Sequence, residues 1–255
     1  MAASRGRHGP EPGSAPARPA FYAAGPRGWR AWWTLLHPPY TAWHLAYVVI
    51  GACLAPTIEL SRLLATVLAF FFAVGIAAHA LDELHGRPLK TQISSRALIA
   101  VSVVGIFIAV GLGIIGVSRV GWTLVPFIVI GPLLVIAYNA EWFGGRIHTD
   151  AGFALAWGAF PLLTAYVAQA ESVSLAAVLG AVSAFGLSAA QRALSTPARF
   201  VRRRVTQVEG TMQLPDGSAL ELTSATVIAP LEKSLRLLSW SVVFLAAALA
   251  VARLG

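Results

Sequence analysis

Apolar residues fill this chain in long runs broken by short polar connections, and the runs have the length that a bilayer demands. A helix needs about 20 predominantly apolar residues to cross the hydrocarbon core. Seven such stretches occur, at about 40–57, 62–82, 97–117, 121–140, 151–169, 173–191 and 233–253. The pattern predicts an all-α polytopic membrane protein, a seven-helix transmembrane bundle. Between Val205 and Thr223 the period changes from helical to alternating around Leu214-Pro215-Asp216-Gly217. Pro suits the first corner of a turn and Gly its left-handed position, so a small cytoplasmic β-hairpin capping the bundle is expected there.

Four parts follow: a disordered cytoplasmic tail over 1–28, a six-helix bundle over 29–192, a basic juxtamembrane segment with the hairpin over 193–232, and a last transmembrane helix over 233–255. The tail is rich in Ala, Gly, Pro and Arg, too poor in branched aliphatics to offset chain entropy, and lacks the apolar core of a signal peptide. Trp29, Trp32 and Trp33, with Arg30, read as an interfacial belt on a short lead-in. Pro38-Pro39 opens the first crossing, and Pro230 is expected as the first helical residue of the last segment.

Composition supports this class, with 57% hydrophobic and 12% charged residues and a mean hydropathy of +0.70. A net charge of +8 would suggest nucleic acid in a soluble protein, but in a membrane protein the placement of Lys and Arg matters more than their sum. With the N-terminus in the cytoplasm, sixteen of the nineteen basic residues face inward, and only Arg62, Arg119 and Arg253 face outward. The expected partners are therefore membrane lipids and not nucleic acid. The expected location is the cell membrane, multi-pass, with the N-terminus inside. The run from Arg199 to Arg204 reads as a contact for anionic headgroups. Cys53, the lone cysteine, permits no intrachain disulfide.

Two polar clusters break the apolar pattern. An ionisable group in hydrocarbon costs roughly 2.5 to 3.5 kcal/mol on insertion scales, so a helix ending in several such groups invites a functional reading. The first cluster runs from Ala78 to Leu89 and holds His79, Asp82, Glu83, His85 and Arg87, with Lys90 just beyond. His79 lies at the i, i+3 and i, i+4 offsets from Asp82 and Glu83, so the three can share a helix face before Gly86 ends the helix. The second runs from Tyr138 to Asp150 and holds Asn139, Glu141, Arg146 and His148. Four of only eleven acidic residues lie in these two connections, which the charge rule places on one side. A shared site is the reading favoured over two hydrated loops. Asp150 reads equally as the N-cap of the fifth crossing or as a site residue, and His44 as a packing residue or a ligand entering from the same side.

The chain here resembles the UbiA superfamily of intramembrane prenyltransferases. The resemblance covers about Trp33 to Arg192. It rests on Ala78 to Leu89 followed by Ile93-Ser94-Ser95-Arg96-Ala97-Leu98, on Tyr138-Asn139, and on Asp150 to Leu163. In that family an Asn-x-x-x-Asp-x-x-x-Asp signature followed by Arg-Pro-Leu binds Mg²⁺ that holds a prenyl diphosphate. Asp82 matches the middle position and Arg87-Pro88-Leu89 the trailer. Ala78 and Gly86 stand at the outer positions, and the second acidic signature is replaced by Gln191-Arg192.

The resemblance implies transfer of an isoprenyl group from a prenyl diphosphate to an acceptor. Asp82 and Glu83 would be catalytic and hold Mg²⁺, while Arg87, Lys90, Arg146 and Arg192 would bind the diphosphate. A second reading is a membrane metalloenzyme, with His44, His79, Asp82, Glu83, Glu141 and His148 as mixed ligands suited to a transition metal. His85, Tyr138, Asn139 and Asp150 would complete the pocket. A third is a non-catalytic lipid-binding or partner-binding membrane protein.

Overall fold

The computed structural model describes residues 19–255. It is mostly helical, and six helical rods are long and apolar enough to cross a membrane: Leu60–Leu84, Ser95–Val120, Trp122–Asn139, Asp150–Ala170, Leu175–Arg204 and Ser224–Leu254. Large apolar side chains point outward along these rods, among them Phe107, Ile114, Ile115, Leu133, Val182 and Phe244. In lipid such faces need no cover.

The expected first crossing is the exception. Helix α1 (Gly28–Leu36) leads into α2 (Pro38–Cys53), whose sixteen residues rise only about 24 Å. Its position explains its brevity. Trp43, Tyr47 and Val48 are fully buried, and α2 packs against α8 (Phe160–Ala170) and α10 (Ser224–Leu254) in the main core cluster. Gly51 permits that approach, since a Cβ there would stand 2.2 Å from the Leu162 carbonyl oxygen.

Two of the rods carry π-helical stretches. The rod Leu60–Leu84 comprises α3 (Leu60–Phe70), a π stretch (Phe71–Ala78) and α4 (His79–Leu84). The rod Asp150–Ala170 comprises α7 (Asp150–Ala154), a π stretch (Leu155–Ala159) and α8. Such widened turns often mark functional sites, and here they deliver His79, Asp82 and Trp157. Between the two rods run α5 (Ser95–Val120) and α6 (Val125–Asn139).

The bundle has two chemically different ends. At one, Arg62 reaches Glu171 at 3.0 Å and the Arg119 carbonyl at 2.6 Å, Glu59 N–H donates to Gln169, and Arg253 donates to the Ala55 and Pro56 carbonyls. At the other lie both polar clusters and the C-terminal part of α9 (Leu175–Arg204).

Three boundaries differ from expectation, and the hairpin differs in what it covers. The expected tail lies outside the described residues up to position 18, but from Pro19 onward the chain packs on the bundle. Phe21 and Tyr22 meet Tyr40, Tyr22 meets His37, and Ala23 is buried. Helix α9 does not stop near 192 but runs through Pro197 to Arg204, because its buried face continues through Ser195 and Ala198. Helix α10 begins at Ser224, where Thr223 and Thr226 form a capping box, and Pro230 lies inside it. The hairpin forms as β1 (Thr211–Gln213) and β2 (Ala219–Glu221), antiparallel with Met212 opposite Leu220. All six strand residues are exposed, so it shields nothing beneath it.

Candidate functional site

The polar end is assembled from five directions. The α1–α2 junction supplies His37, α4 supplies His79 and Asp82, the end of α6 supplies Tyr138, and the following loop supplies His148. The fifth contributor, α9, supplies Gln191, Arg192, Arg199 and Arg203. The two sequence clusters do meet: His85 Nε2 stands 3.7 Å from Glu141 Oε1 across an exposed rim. Deeper in, the His37 and His79 rings pack edge to face at 4.1 Å, and Tyr138 stacks on His148 at 4.4 Å.

The histidines are oriented by backbone carbonyls. His44 Nδ1 contacts the Trp157 carbonyl at 2.8 Å, His79 Nδ1 that of Gly75 at 3.1 Å and His148 Nδ1 that of Tyr138 at 3.0 Å. A carbonyl only accepts, so Nδ1 carries the proton in each. His44 is buried against Phe153 and Tyr47 and acts as a tie between α2 and the second π stretch. His37 is buried outside the spanning rods, and desolvation, followed by the nearby His79 and Arg199, holds its pKa well below the usual 6.5.

The two adjacent carboxylates have opposite roles. Glu83, expected beside Asp82 at a metal, is fully buried, with Oε2 accepting from Leu89 N–H at 2.9 Å and Oε1 from Thr91 N–H and Oγ1, both at 2.8 Å. It anchors the loop after α4, in which Arg87 and Lys90 adopt the left-handed region at φ 53° and 54°. Such residues cost of order 1–3 kcal/mol each and persist only where their surroundings fix them. Asp82 remains partly accessible and lies in the field of Arg199, Arg203 and His148.

The cations are also distributed differently from expectation. Arg87 donates to the Ile93 carbonyl at 2.6 Å and to Ser95 Oγ at 2.7 Å, fixing the start of α5. Lys90 and Arg146 are exposed. Arg192 does face the site, ion-paired with Asp150 at 2.8 Å and stacked over Phe153. Asp150 is not the N-cap; Thr149 is, accepting from Gly152 N–H, which leaves the Asp150 carboxylate for Arg192. Asn139 donates to the Val135 carbonyl in its own helix.

Sequence reading assigned Arg199 and Arg203 to lipid headgroups and overlooked His37, Tyr22 and Gln191. The available signal was helical spacing. Positions 192, 199 and 203 are seven and four apart, so they share one face of α9, along with buried Ser195. Ending the helix near 192 concealed this.

An apolar groove of about 520 Å³ lies directly below. It runs between α3, α5, α6 and α8, from Arg62 and Arg119 at one end, past Phe70, Ile106, Phe127 and Phe160, to Val135 and Trp157 at the other. Trp157 marks the border, because Tyr138 meets it edge-on at 5.7 Å. The groove and the polar cluster thus adjoin at the Tyr138–Trp157 contact.

Mg²⁺ binding would require oxygen ligands, typically one or two carboxylates beside water and substrate oxygens. Of the carboxylates here only Asp82 is left for such a site, and no second one stands beside it. Glu83 is taken up by its loop, Asp150 faces Arg192, and Glu141 sits on the exposed rim with His85. Among the described residues no three His, Cys, Asp or Glu side chains form a group that could hold a metal ion. The mixed set of His44, His79, Asp82, Glu83, Glu141 and His148 forms no such group, and of the Mg²⁺ pair Glu83 is engaged by its loop, which leaves Asp82. What the arrangement offers chemically is a cationic, polar head region above an apolar trough. No family model, no curated protein and no solved structure matches this chain.

Proposed function

We propose that this chain binds an isoprenoid diphosphate, or a closely similar amphiphile, with its tail in the groove and its head among Asp82, Arg192, Arg199 and Arg203. On this reading the protein is a divergent UbiA-like membrane prenyltransferase of seven crossings, α2 being the inner one. It sits in the cell membrane with the N-terminus and the polar end in the cytoplasm. The observation that carries the reading is a 520 Å³ apolar groove whose Trp157 meets Tyr138, which in turn lies near Arg192 and Arg199. That volume lies within the roughly 300–1,000 Å³ of small-ligand sites.

In the proposed reaction the allylic C–O bond breaks and the diphosphate leaves with its electron pair, its growing charge met by the arginines. An electron pair of the acceptor forms the new bond to the allylic carbon, and Asp82 takes the acceptor's proton. Pro19 to Tyr22 roof the head region, leaving a cleft of only about 20 Å³ beside Tyr40 and Arg199. The roof has to lift for a headgroup to enter.

Incubating the purified protein with labelled prenyl diphosphates of several chain lengths and a membrane extract as acceptor source tests this. A labelled lipid-soluble product, lost in Asp82→Asn, is expected. Tight binding without any product would favour a second reading, a non-catalytic binder of the same amphiphile. That reading is favoured by the single available carboxylate and the missing second acidic signature. Neither binding nor transfer at any chain length would refute both.

A further inference from the structure

Arg192, Arg199 and Arg203 act on one another as like charges, and all three are at least partly withdrawn from solvent. Arg192 has Asp150, and Arg203 Nε donates to the Pro19 carbonyl at 3.3 Å. Arg199 has no carboxylate within ion-pair distance among the described residues; its one side-chain hydrogen bond among them goes to Thr196 Oγ1 at 3.5 Å. Gathering three guanidinium groups in a half-buried place is unfavourable unless an anion joins them. With Asp150 taken by Arg192 and Glu232 by Arg202, Asp82 alone does not balance Arg199 and Arg203.

A second observation points the same way. Three buried polar atoms have no hydrogen-bond partner among the described residues: His37 Nε2, Tyr138 Oη and Gln191 Oε1. Their residues are 9%, 4% and 2% exposed. A buried polar group left unsatisfied costs about 1–3 kcal/mol, and two of the three, His37 and Tyr138, lie near the same arginines. The charge of Arg199 acts on both His37 and Tyr138, whereas Gln191 Oε1 is an acceptor and takes no part in holding an anion. His37 and Tyr138 can each donate to an anionic oxygen in one tautomer or rotamer.

We infer that this cluster is a phosphate or diphosphate site that works without a divalent metal, with Arg199 at its centre and Arg192, Arg203, His37 and Tyr138 around the anion. The identity of the tail-bearing ligand rests on the function proposed above, whereas the anion site itself does not. Guanidinium forks match phosphate oxygens in pairs and carry the charge that Mg²⁺ otherwise supplies. The missing acidic signature at Gln191-Arg192 and the loss of Glu83 to its loop then belong together, because an anion held by arginines needs no set of carboxylates to hold a metal.

The test measures equilibrium binding to the full chain in lipid nanodiscs, with farnesyl thiodiphosphate, inorganic pyrophosphate and phosphatidylglycerol as separate probes, each in EDTA and in Mg²⁺. Wild-type affinity for the phosphorylated probe that binds should change less than about threefold between EDTA and Mg²⁺, whereas a Mg²⁺-bridged site loses far more. Arg199→Gln should weaken binding at least about tenfold, as expected for a lost charged hydrogen bond, and exposed Arg146→Gln should leave it unchanged. Arg199→Lys covers the case of a misfolded glutamine variant, since it keeps the charge and should lose the paired geometry with an intermediate effect.

Binding abolished by EDTA and restored by Mg²⁺ would overturn the inference while leaving the proposed function standing. Pyrophosphate bound in EDTA without affinity for the isoprenoid would keep the anion site and refute the isoprenoid reading. Selective, Arg199-dependent binding of phosphatidylglycerol would identify the source of the phosphate as a lipid headgroup. Failure of all three probes would overturn the anion site itself.

Discussion

Glu83 and Asp82 are adjacent in sequence and divided in role. Glu83 supplies both its oxygens to three donors at full burial, so Glu83→Ala strands those donors and should lower stability by about 3 kcal/mol or more. Asp82→Ala, at a partly accessible position, should change stability little. Thermal unfolding in detergent separates the two. His37 gives a pH prediction. Its folded pKa lies well below the ordinary 6.5 because burial disfavours the imidazolium. The unfolded chain therefore takes up the proton first as pH falls. Stability is fully present above pH 6.5 and declines as pH drops from there toward the depressed value, by up to about 1.4 kcal/mol per pH unit. His37→Gln should flatten that decline in an unfolding series from pH 7.5 to 5, and an unchanged slope would refute this account of His37. The sequence marked Asp82, His79 and Arg192 as worth watching because charges at helix ends in apolar surroundings stand out. It could not separate Glu83 from Asp82, since the separation depends on which of two neighbouring residues faces a loop that doubles back to meet it.

At the scale of elements, close backbone approaches set the position of the site. A Cβ at Gly158 would stand 2.5 Å from Ser188 Oγ and 2.6 Å from the Ala184 carbonyl oxygen, so the second π stretch touches α9 directly. Gly158→Ala should force the helices apart and lower stability by about 1–3 kcal/mol. It should also weaken ligand binding, because α9 carries Arg192 and Arg199. A variant unfolding at the wild-type temperature would contradict this packing. Apolar runs located the spanning rods well, because hydrocarbon imposes a length. They misplaced the end of α9, where Gln191-Arg192 closed the apolar run, and the start of α10, where Pro230 resembled a boundary. In both helices the buried stripe continues past the proline and holds the chain helical. The π stretches at Phe71–Ala78 and Leu155–Ala159 leave no signature in a residue count, since one extra residue per turn depends on what the helix packs against.

For the whole molecule, the separation of charge between the two ends carries a topological prediction. The three basic residues that the charge rule places outside, Arg62, Arg119 and Arg253, occupy the end opposite Asp82. Cys53 is buried, so single cysteines can be read against a quiet background. A cysteine replacing exposed Asp216 should be labelled by a membrane-impermeant maleimide only after the cell membrane is opened. One replacing exposed Glu171 should be labelled in intact cells. The reverse pattern would invert the proposed orientation.

The claim that a tail-bearing anion lies across the Tyr138–Trp157 contact is tested most directly by photo-crosslinking. An isoprenyl diphosphate carrying a diazirine on its tail would be irradiated with the protein in nanodiscs and the labelled peptides mapped. The account predicts labelling around Phe127 and Ile128 of α6 and Ile106 to Gly113 of α5, with loss of labelling when unlabelled prenyl diphosphate competes and in Arg199→Gln. Labelling spread over the outward faces of α9 and α10, or unaffected by competitor and by Arg199→Gln, would contradict it.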